Sequence, residues 1–291
     1  QHTSDGRTPT MALPLDKLGT VFEERTAVID PERVKAYAAA TNDDNPAYTS
    51  GKYAPPVFGV VPTWEAMQQA VVIVPPEALM MVVHGEQDMH FHQPLVPGLG
   101  ITTRAEAFNL RPGKSGTRYT IKVRSTTASG GEPVLDQYVT MFIRGMADGE
   151  PGGPDKPDHT FPRESRSAPV GENPVHVDDD QTFRYRDASG DMMPIHVDDA
   201  FAKSVGLPGI IAHGLCTMAM SSQAVVKLGA DGDPSRVRRL AVRFAGNVFP
   251  GDDVITTVYD AGTADGRHVY AFEATSRGDR VITHGRAEVG A

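Results

Sequence analysis

Apolar and polar positions change their period along the chain in an order that occurs twice. After Asp30 the stretch PERVKAYAAA predicts a short helix, with the Asp placed to cap its first turn. An irregular loop follows, fixed by Pro46, because the residue before a proline avoids the helical region. A longer apolar run opens at Gly59, and the period-two runs RYTIKVRST and VLDQYVTMFIR predict strands. Farther along, Asp178, Pro194 and Gly214 mark the same three events, and HVYAFEATS and RVITHGRAEV supply the strands. The run Gly214-LCTMAMSSQAVVKLG is apolar nearly all round, which predicts a helix buried on most sides.

The two parts align residue by residue. Asp30 and Asp178 precede Tyr37 and Tyr185 by seven positions each. Thr41-Asn-Asp-Asp-Asn-Pro-Ala-Tyr48 then overlies Ser189-Gly-Asp-Met-Met-Pro-Ile-His196, and Pro56-Val-Phe-Gly59 overlies Ile211-Ala-His-Gly214. DMHFHQPLVPG (Asp88–Gly98) overlies LAVRFAGNVFPG (Leu240–Gly251). Such self-similarity reads as a duplicated domain whose copies have diverged. Between the copies, Met146–Pro174 is crowded with Gly, Pro and charge and reads as a linker. The expected organisation is therefore a first unit over 11–145, a linker over 146–174 and a second unit over 175–291. In each, one buried helix is wrapped by an antiparallel sheet, an α+β arrangement. Gln1–Thr10 is polar, precedes Met11, and reads as a disordered extension or an expression remnant.

Composition narrows the function. Lys+Arg is 28 against Asp+Glu 37, a formal net charge of −9, which argues against binding driven by phosphate neutralisation and hence against nucleic acid. One cysteine, Cys216, excludes an intrachain disulfide and a multi-cysteine zinc site. No apolar run is long enough to span a membrane, and no charged-then-apolar leader pattern opens the sequence; the expected compartment is the cytoplasm.

The strongest local signal is Tyr185-RDASGDMMPIHVDDAFAKSVGLPGIIAHG. It resembles the MaoC-like, (R)-specific enoyl-CoA hydratase family, whose fold is the hotdog. Tyr185, Ser189, Gly190, Asp191, Pro194, His196, Ala200, His213 and Gly214 match that family's pattern, as do Val242-Arg-Phe and Phe249-Pro-Gly-Asp252. Met193 stands where the family usually has Asn. The resemblance covers the whole second half, and the first half follows the same plan weakly, as in two-hotdog members. The expected fold is thus a double hotdog.

Hydrating an α,β-unsaturated thioester requires a base for the attacking water, a proton for C2 and a donor for the developing enolate oxygen. Asp191 and His196, five apart on a proline-fixed loop, can converge on one water, and both are suitable acid/base groups near neutral pH. Gly214, at a helix start, offers an N–H unpaired within the helix at the positive end of its dipole. The resemblance assigns the same roles: Asp191 and His196 as acid/base pair and Gly214 N–H as oxyanion donor. It also implies that Ser222 holds the active-site hydrogen bonds; a helix serine bonding back to a carbonyl is the equal alternative. His213 and Met193 join the substrate-binding set. Arg243 joins it as part of the basic group Arg238, Arg239 and Arg243, which reads by default as a solvated strand edge and alternatively as a contact for CoA phosphates.

Other signals carry less. His90 and His92 alternate on a strand near His84 and read as a polar face rather than a metal pair, so no metal is expected. Pro112-GKSG fails the phosphate-loop pattern and reads as a hairpin turn, and Cys216 reads as packing. In the first unit Tyr48 replaces His196 and Phe58 replaces His213, so that unit is expected to be catalytically silent and to shape the acyl tunnel. The expectation is (R)-specific hydration of trans-2-enoyl-CoA, or the reverse dehydration, with no cofactor beyond the CoA thioester substrate. An acyl carrier protein remains an alternative carrier. Thioester hydrolysis and a non-catalytic acyl-CoA-binding subunit are the competing functions. Two units in one chain form an internal pseudo-dimer, which makes a monomer or homodimer the expected state.

Overall fold

The computed structural model describes residues 12–291; the reading of Gln1–Thr10 and the first residue of the expected first unit, Met11, lie outside the described residues. The first unit supplies β1 (Arg25–Val28), α1 (Pro31–Ala40), α2 (Pro46–Thr49), α3 (Val60–Val71), β2 (Val82–Phe91), β3 (Gly100–Gly113), β4 (Gly116–Thr127) and β5 (Pro133–Arg144). The second supplies β6 (Pro169–His176), α4 (Gln181–Ser189), α5 (Asp199–Ser204), α6 (Gly214–Ala224), β7 (Val237–Phe244), β8 (Asp253–Ala264), β9 (Arg267–Ser276) and β10 (Asp279–Val289).

All ten strands form one sheet in the order β1-β3-β4-β5-β2-β7-β10-β9-β8-β6. Renaming β6 to β10 as a second set of one to five in the order 1, 2, 3, 4, 5 gives the same half-order reversed, so the duplication read from the sequence is a pseudo-twofold repeat. Its axis passes between the antiparallel neighbours β2 and β7. Helix α1 packs on α4 there, bringing the equivalent residues Tyr37 and Tyr185 to 3.3 Å between hydroxyls. Met89 and Leu240 face each other across the seam and are both buried. Each side chain of that kind contributes about 1.5–3 kcal/mol on leaving water, so neither unit is finished without the other.

Local chemistry explains the helix starts, with one correction. Asp30 caps α1 by accepting the Glu32 and Arg33 N–H groups, both at 2.9 Å. Asp178 does not cap α4. That helix begins at Gln181 behind Asp180, whose side chain makes no cap bond. Asp178 instead accepts the Arg184 guanidinium at 2.6 Å and the Asn42 amide at 3.0 Å, tying the two units together.

The linker is also shorter than its composition suggested. Residues 169–176 form β6 and pair with β8, so the last part of the expected 146–174 linker belongs to the second sheet. The earlier part crosses the outer face of the seam. Lys156 and His159 reach Glu86 at 2.6 and 3.1 Å, and the Asp158 carbonyl accepts from Arg239. Arg239 grips Asp88 through two bonds of 3.0 and 2.8 Å, with both residues buried. This connection is a strap across both units, and its polarity serves the charges beneath it.

A bulge in β2 sets up the inner face. His84 pairs with Met141 and Glu86 with Thr140, leaving Gly85 as the extra residue. The bulge shifts the alternation, so His84 and Gln87 point to the helix side while Glu86 and Asp88 point to the strap. A Cβ on Gly85 would lie 3.3 Å from the Thr140 carbonyl oxygen, so a glycine suits the site.

Candidate active site

Asp191, His196, His213 and Gly214 come together where the loop after α4 meets the start of α6. Gly190 ends α4 in the left-handed region at φ +85°, which turns the chain sharply into the loop. Pro194 opens one 3₁₀ turn, Pro194–His196, that carries His196 inward to a buried position. The Asp191 carboxylate accepts the Met193 N–H at 3.1 Å, and its own N–H donates to Ser189 Oγ at 3.1 Å. One ligand-type atom from each of Asp191, His196 and His213 lies within 4.8 Å of the others.

The two imidazoles have defined tasks. His196 Nδ1 lies 2.8 Å from the Ile211 carbonyl oxygen, which fixes the proton on Nδ1 and leaves the Nε2 lone pair free. Burial lowers the His196 pKa, although the Ile211 carbonyl and the Asp191 charge pull the other way. A neutral imidazole with a free Nε2 is a base. His213 stacks on it with ring centroids 3.8 Å apart and planes 26° apart. His213 Nε2 lies 3.2 Å from the Asp191 carbonyl oxygen, so it donates there and holds the loop. Burial, then the neighbouring His196, push the His213 pKa down to about 3. The trio thus presents a carboxylate and two imidazoles within reach of one small group.

Gly214 is the first residue of α6, and His213 before it makes no side-chain cap. Thr217 N–H donates to the His213 carbonyl at 3.1 Å; among the described residues the Gly214 N–H has no acceptor. That is a free donor at a helix N-terminus, suited to an oxygen gaining negative charge. A Cβ on Gly214 would lie 3.3 Å from the Phe244 ring, tight enough that the ring would have to give way.

Three other sequence candidates are placed differently. Met193 is exposed at 53%, and its contribution is its backbone N–H to Asp191. It occupies the cap position of the 3₁₀ turn without a cap bond, whereas Asn45 at the matching place in the first unit accepts the Ala47 N–H at 2.9 Å. Ser222 is buried and its hydroxyl donates to the Ala219 carbonyl at 2.7 Å, so that group is spent inside its own helix. Arg243 is a correction. It lies on the outer face, where its guanidinium meets Glu86 at 3.0 and 3.2 Å, and not on the site side of the sheet. The seam needs a partner for the buried Glu86 carboxylate, and strand alternation turns Arg243 that way.

The first unit holds different groups at the matching positions. Burial raises Asp43 to about 6. Tyr48 is buried without a partner for its hydroxyl, and burial holds its pKa well above the usual phenol value. A phenol in that state is no base near neutral pH. Cys216, two residues beyond Gly214, is a buried thiol pushed up to about 12 by desolvation, and is packing rather than nucleophile.

Sequence reasoning missed His84 as part of this neighbourhood. Its ring lies 4.8 Å from that of Phe244, the residue against Gly214, and it feels the Asp191 charge. The signal was available: a glycine inside an alternating strand marks a bulge, and a bulge reverses which residues face inward.

Comparison with known proteins bears on the family and the fold. Residues 161–281 match the MaoC like domain, and residues 16–137 match the FAS1-like dehydratase domain region. The chain is 31% identical over 182 residues to a Dictyostelium discoideum protein named probable enoyl-CoA hydratase 2. That match covers 62% of this chain and 61% of the relative, so the chain spans about three fifths of that relative's length. A MaoC-like dehydratase from Phytophthora capsici superposes with a TM-score of 0.80 at 26% identity, over 94% of this chain and 96% of its own. A Mycobacterium tuberculosis protein described as having a double hotdog fold superposes with a TM-score of 0.59 over 93% of this chain and 95% of its own; at 14% identity it speaks for the fold alone. No helix among the described residues is long and apolar enough to cross a membrane.

Proposed function

Because the chain belongs to the MaoC-like dehydratase family in its two-hotdog form, we propose that it adds water reversibly to trans-2-enoyl-CoA, giving (3R)-3-hydroxyacyl-CoA. The observation that carries this reading is the meeting of a free imidazole lone pair (His196 Nε2), a carboxylate (Asp191) and a free helix-terminal N–H (Gly214). A water held between Asp191 and His196 supplies the oxygen that bonds to C3. As the double bond gives way, charge moves to the thioester oxygen at the Gly214 N–H, a contact of a kind worth about 3 kcal/mol. The acid/base pair takes one proton from the water and returns one to C2, so the enzyme ends in its starting state.

The pair needs no redox group or Lewis acid for these steps, and the reading assigns no cofactor and no metal. The first unit is assigned a silent role in catalysis by its own copy of the site, since Tyr48 and Phe58 stand where a base and His213 stand in the second. CoA is the carrier assigned, with an acyl carrier protein as the alternative. The internal seam supports a monomer or homodimer, and the cytoplasm is the compartment assigned.

Crotonyl-CoA and a longer trans-2-enoyl-CoA provide the test. The reading expects loss of enoyl absorbance and a 3R product on chiral analysis. Release of free thiol would replace it with thioester hydrolysis, and CoA binding without turnover would replace it with a binding subunit.

A further inference from the structure

The first unit holds a polar atom that its own packing leaves unused. His84 Nε2 is sealed from solvent and has no hydrogen-bond partner. A buried polar atom left unpaired is costly, and a bound ligand that pairs with it recovers that cost. Its surroundings are otherwise ordered. Gln87, next on the same face, donates to Gln137 at 2.8 Å; Gln137 donates to Thr63 at 2.9 Å; and Thr63 donates to the Gly59 carbonyl at 2.9 Å. All three side chains are buried, so the inner face of β2 beside His84 is braced by a hydrogen-bonded row that leaves its Nε2 unpaired. The ring itself is set against Phe244, which packs on the Gly214 position, and Asp191 is near enough to act on it electrostatically. Packing alone would be served by Phe or Leu; an imidazole there puts a neutral donor or acceptor beside the reacting centre.

We infer that His84 is a substrate-binding residue lent by the first unit to the site of the second, its Nε2 sharing a hydrogen bond with the C3 oxygen of the bound 3-hydroxyacyl group. This rests on the hydration reading above, because that oxygen is the one the Asp191–His196 pair delivers. The first unit's own copy of the site is silent, yet the unit completes the working site through the Gly85 bulge. A one-residue change in that bulge would turn His84 to the strap side and remove the contact.

The test compares His84→Phe, which keeps a ring against Phe244 but has no polar atom, with His84→Gln, which restores an amide. The substrates are (3R)-3-hydroxybutyryl-CoA, which has the C3 oxygen, and butyryl-CoA as an inhibitor that lacks it. His84→Phe should raise KM for the hydroxylated thioester about tenfold, which is about 1.4 kcal/mol. It should leave the inhibition constant of butyryl-CoA unchanged and should not lower the melting temperature, and His84→Gln should recover most of the loss. An unchanged KM overturns the inference, as does an equal loss for both thioesters, which would make His84 a packing residue. A wild-type protein that turns over neither (3R)-3-hydroxybutyryl-CoA nor crotonyl-CoA overturns the hydration reading and this inference with it.

Discussion

Replacing His196 separates its two tasks. Its Nδ1–H anchors the Ile211 carbonyl at 2.8 Å, and its Nε2 is the base proposed for the attacking water. Asparagine places an amide N–H near the Nδ1 position and nothing basic near Nε2, so His196→Asn should keep the anchor and lose the base. General-base catalysis is worth about 10²–10⁴ in rate, and kcat should fall by that factor. His196→Ala loses both functions. The buried Ile211 carbonyl is then unpaired at a cost of about 1–3 kcal/mol, which for a chain of this length lowers the melting temperature by about 2–5 °C. Turnover of enoyl-CoA followed by absorbance, beside thermal unfolding, reads both effects. Wild-type turnover by His196→Asn would refute the base assignment. Activity in His196→Ala that falls only as far as its folded fraction falls would refute it equally.

The pH dependence of stability follows from buried groups. Burial lowers His84 to about 4 and His213 to about 3, so between pH 6 and pH 4 both are neutral in the fold and protonated in the unfolded chain. Asp43, raised to about 6, works the other way over that window, protonated in the fold and ionised in the unfolded chain. Two protons gained against one lost on unfolding, with His196, Glu86 and Asp88 adding in the same direction, leave a fall in stability of at least about 1.4 kcal/mol per pH unit near pH 5 on acidification, which chemical denaturation at pH 6, 5 and 4 measures; rising stability would contradict it. Met193→Asn supplies the missing cap on the 3₁₀ turn and should stabilise by about 1 kcal/mol, a rise of about 2 °C in melting temperature; an unchanged or lower value counts against the cap argument. Arg239→Ala leaves the buried Asp88 carboxylate with only His90 Nε2, at 3.0 Å, beside it and should destabilise by about 3 kcal/mol, and a denaturation midpoint like that of the wild type would show the strap seam to be dispensable.

The elements that the sequence disclosed best were those whose signal is local or repeated. Pro46 and Pro194 mark the two loops, although each opens a short helical turn within its loop, Gly59 and Gly214 start helices, and the second half repeats the first, so the paired units and the Asp191–His196 loop were legible in the sequence. What escaped depended on partners distant in the chain. Asp178 looks like a helix cap until Asn42 and Arg184 compete for its carboxylate. Arg243 looks free for a phosphate until Glu86, from the other unit, meets it across the seam. The segment 169–174 looks like linker because proline and glycine are tolerated on an edge strand, which β6 is. His84 was hidden by a bulge that reverses strand alternation, a shift that period-two reading assigns to the wrong face.

Wild type, Asp191→Asn and Tyr48→Phe, assayed side by side on a trans-2-enoyl-CoA with chiral analysis of the product, test the central claim that only the second unit's copy of the site does the chemistry. The account predicts a 3R product, a fall of at least about 100-fold for Asp191→Asn and near wild-type turnover for Tyr48→Phe. A 3S product, wild-type rates in Asp191→Asn, or abolished turnover in a folded Tyr48→Phe would contradict it.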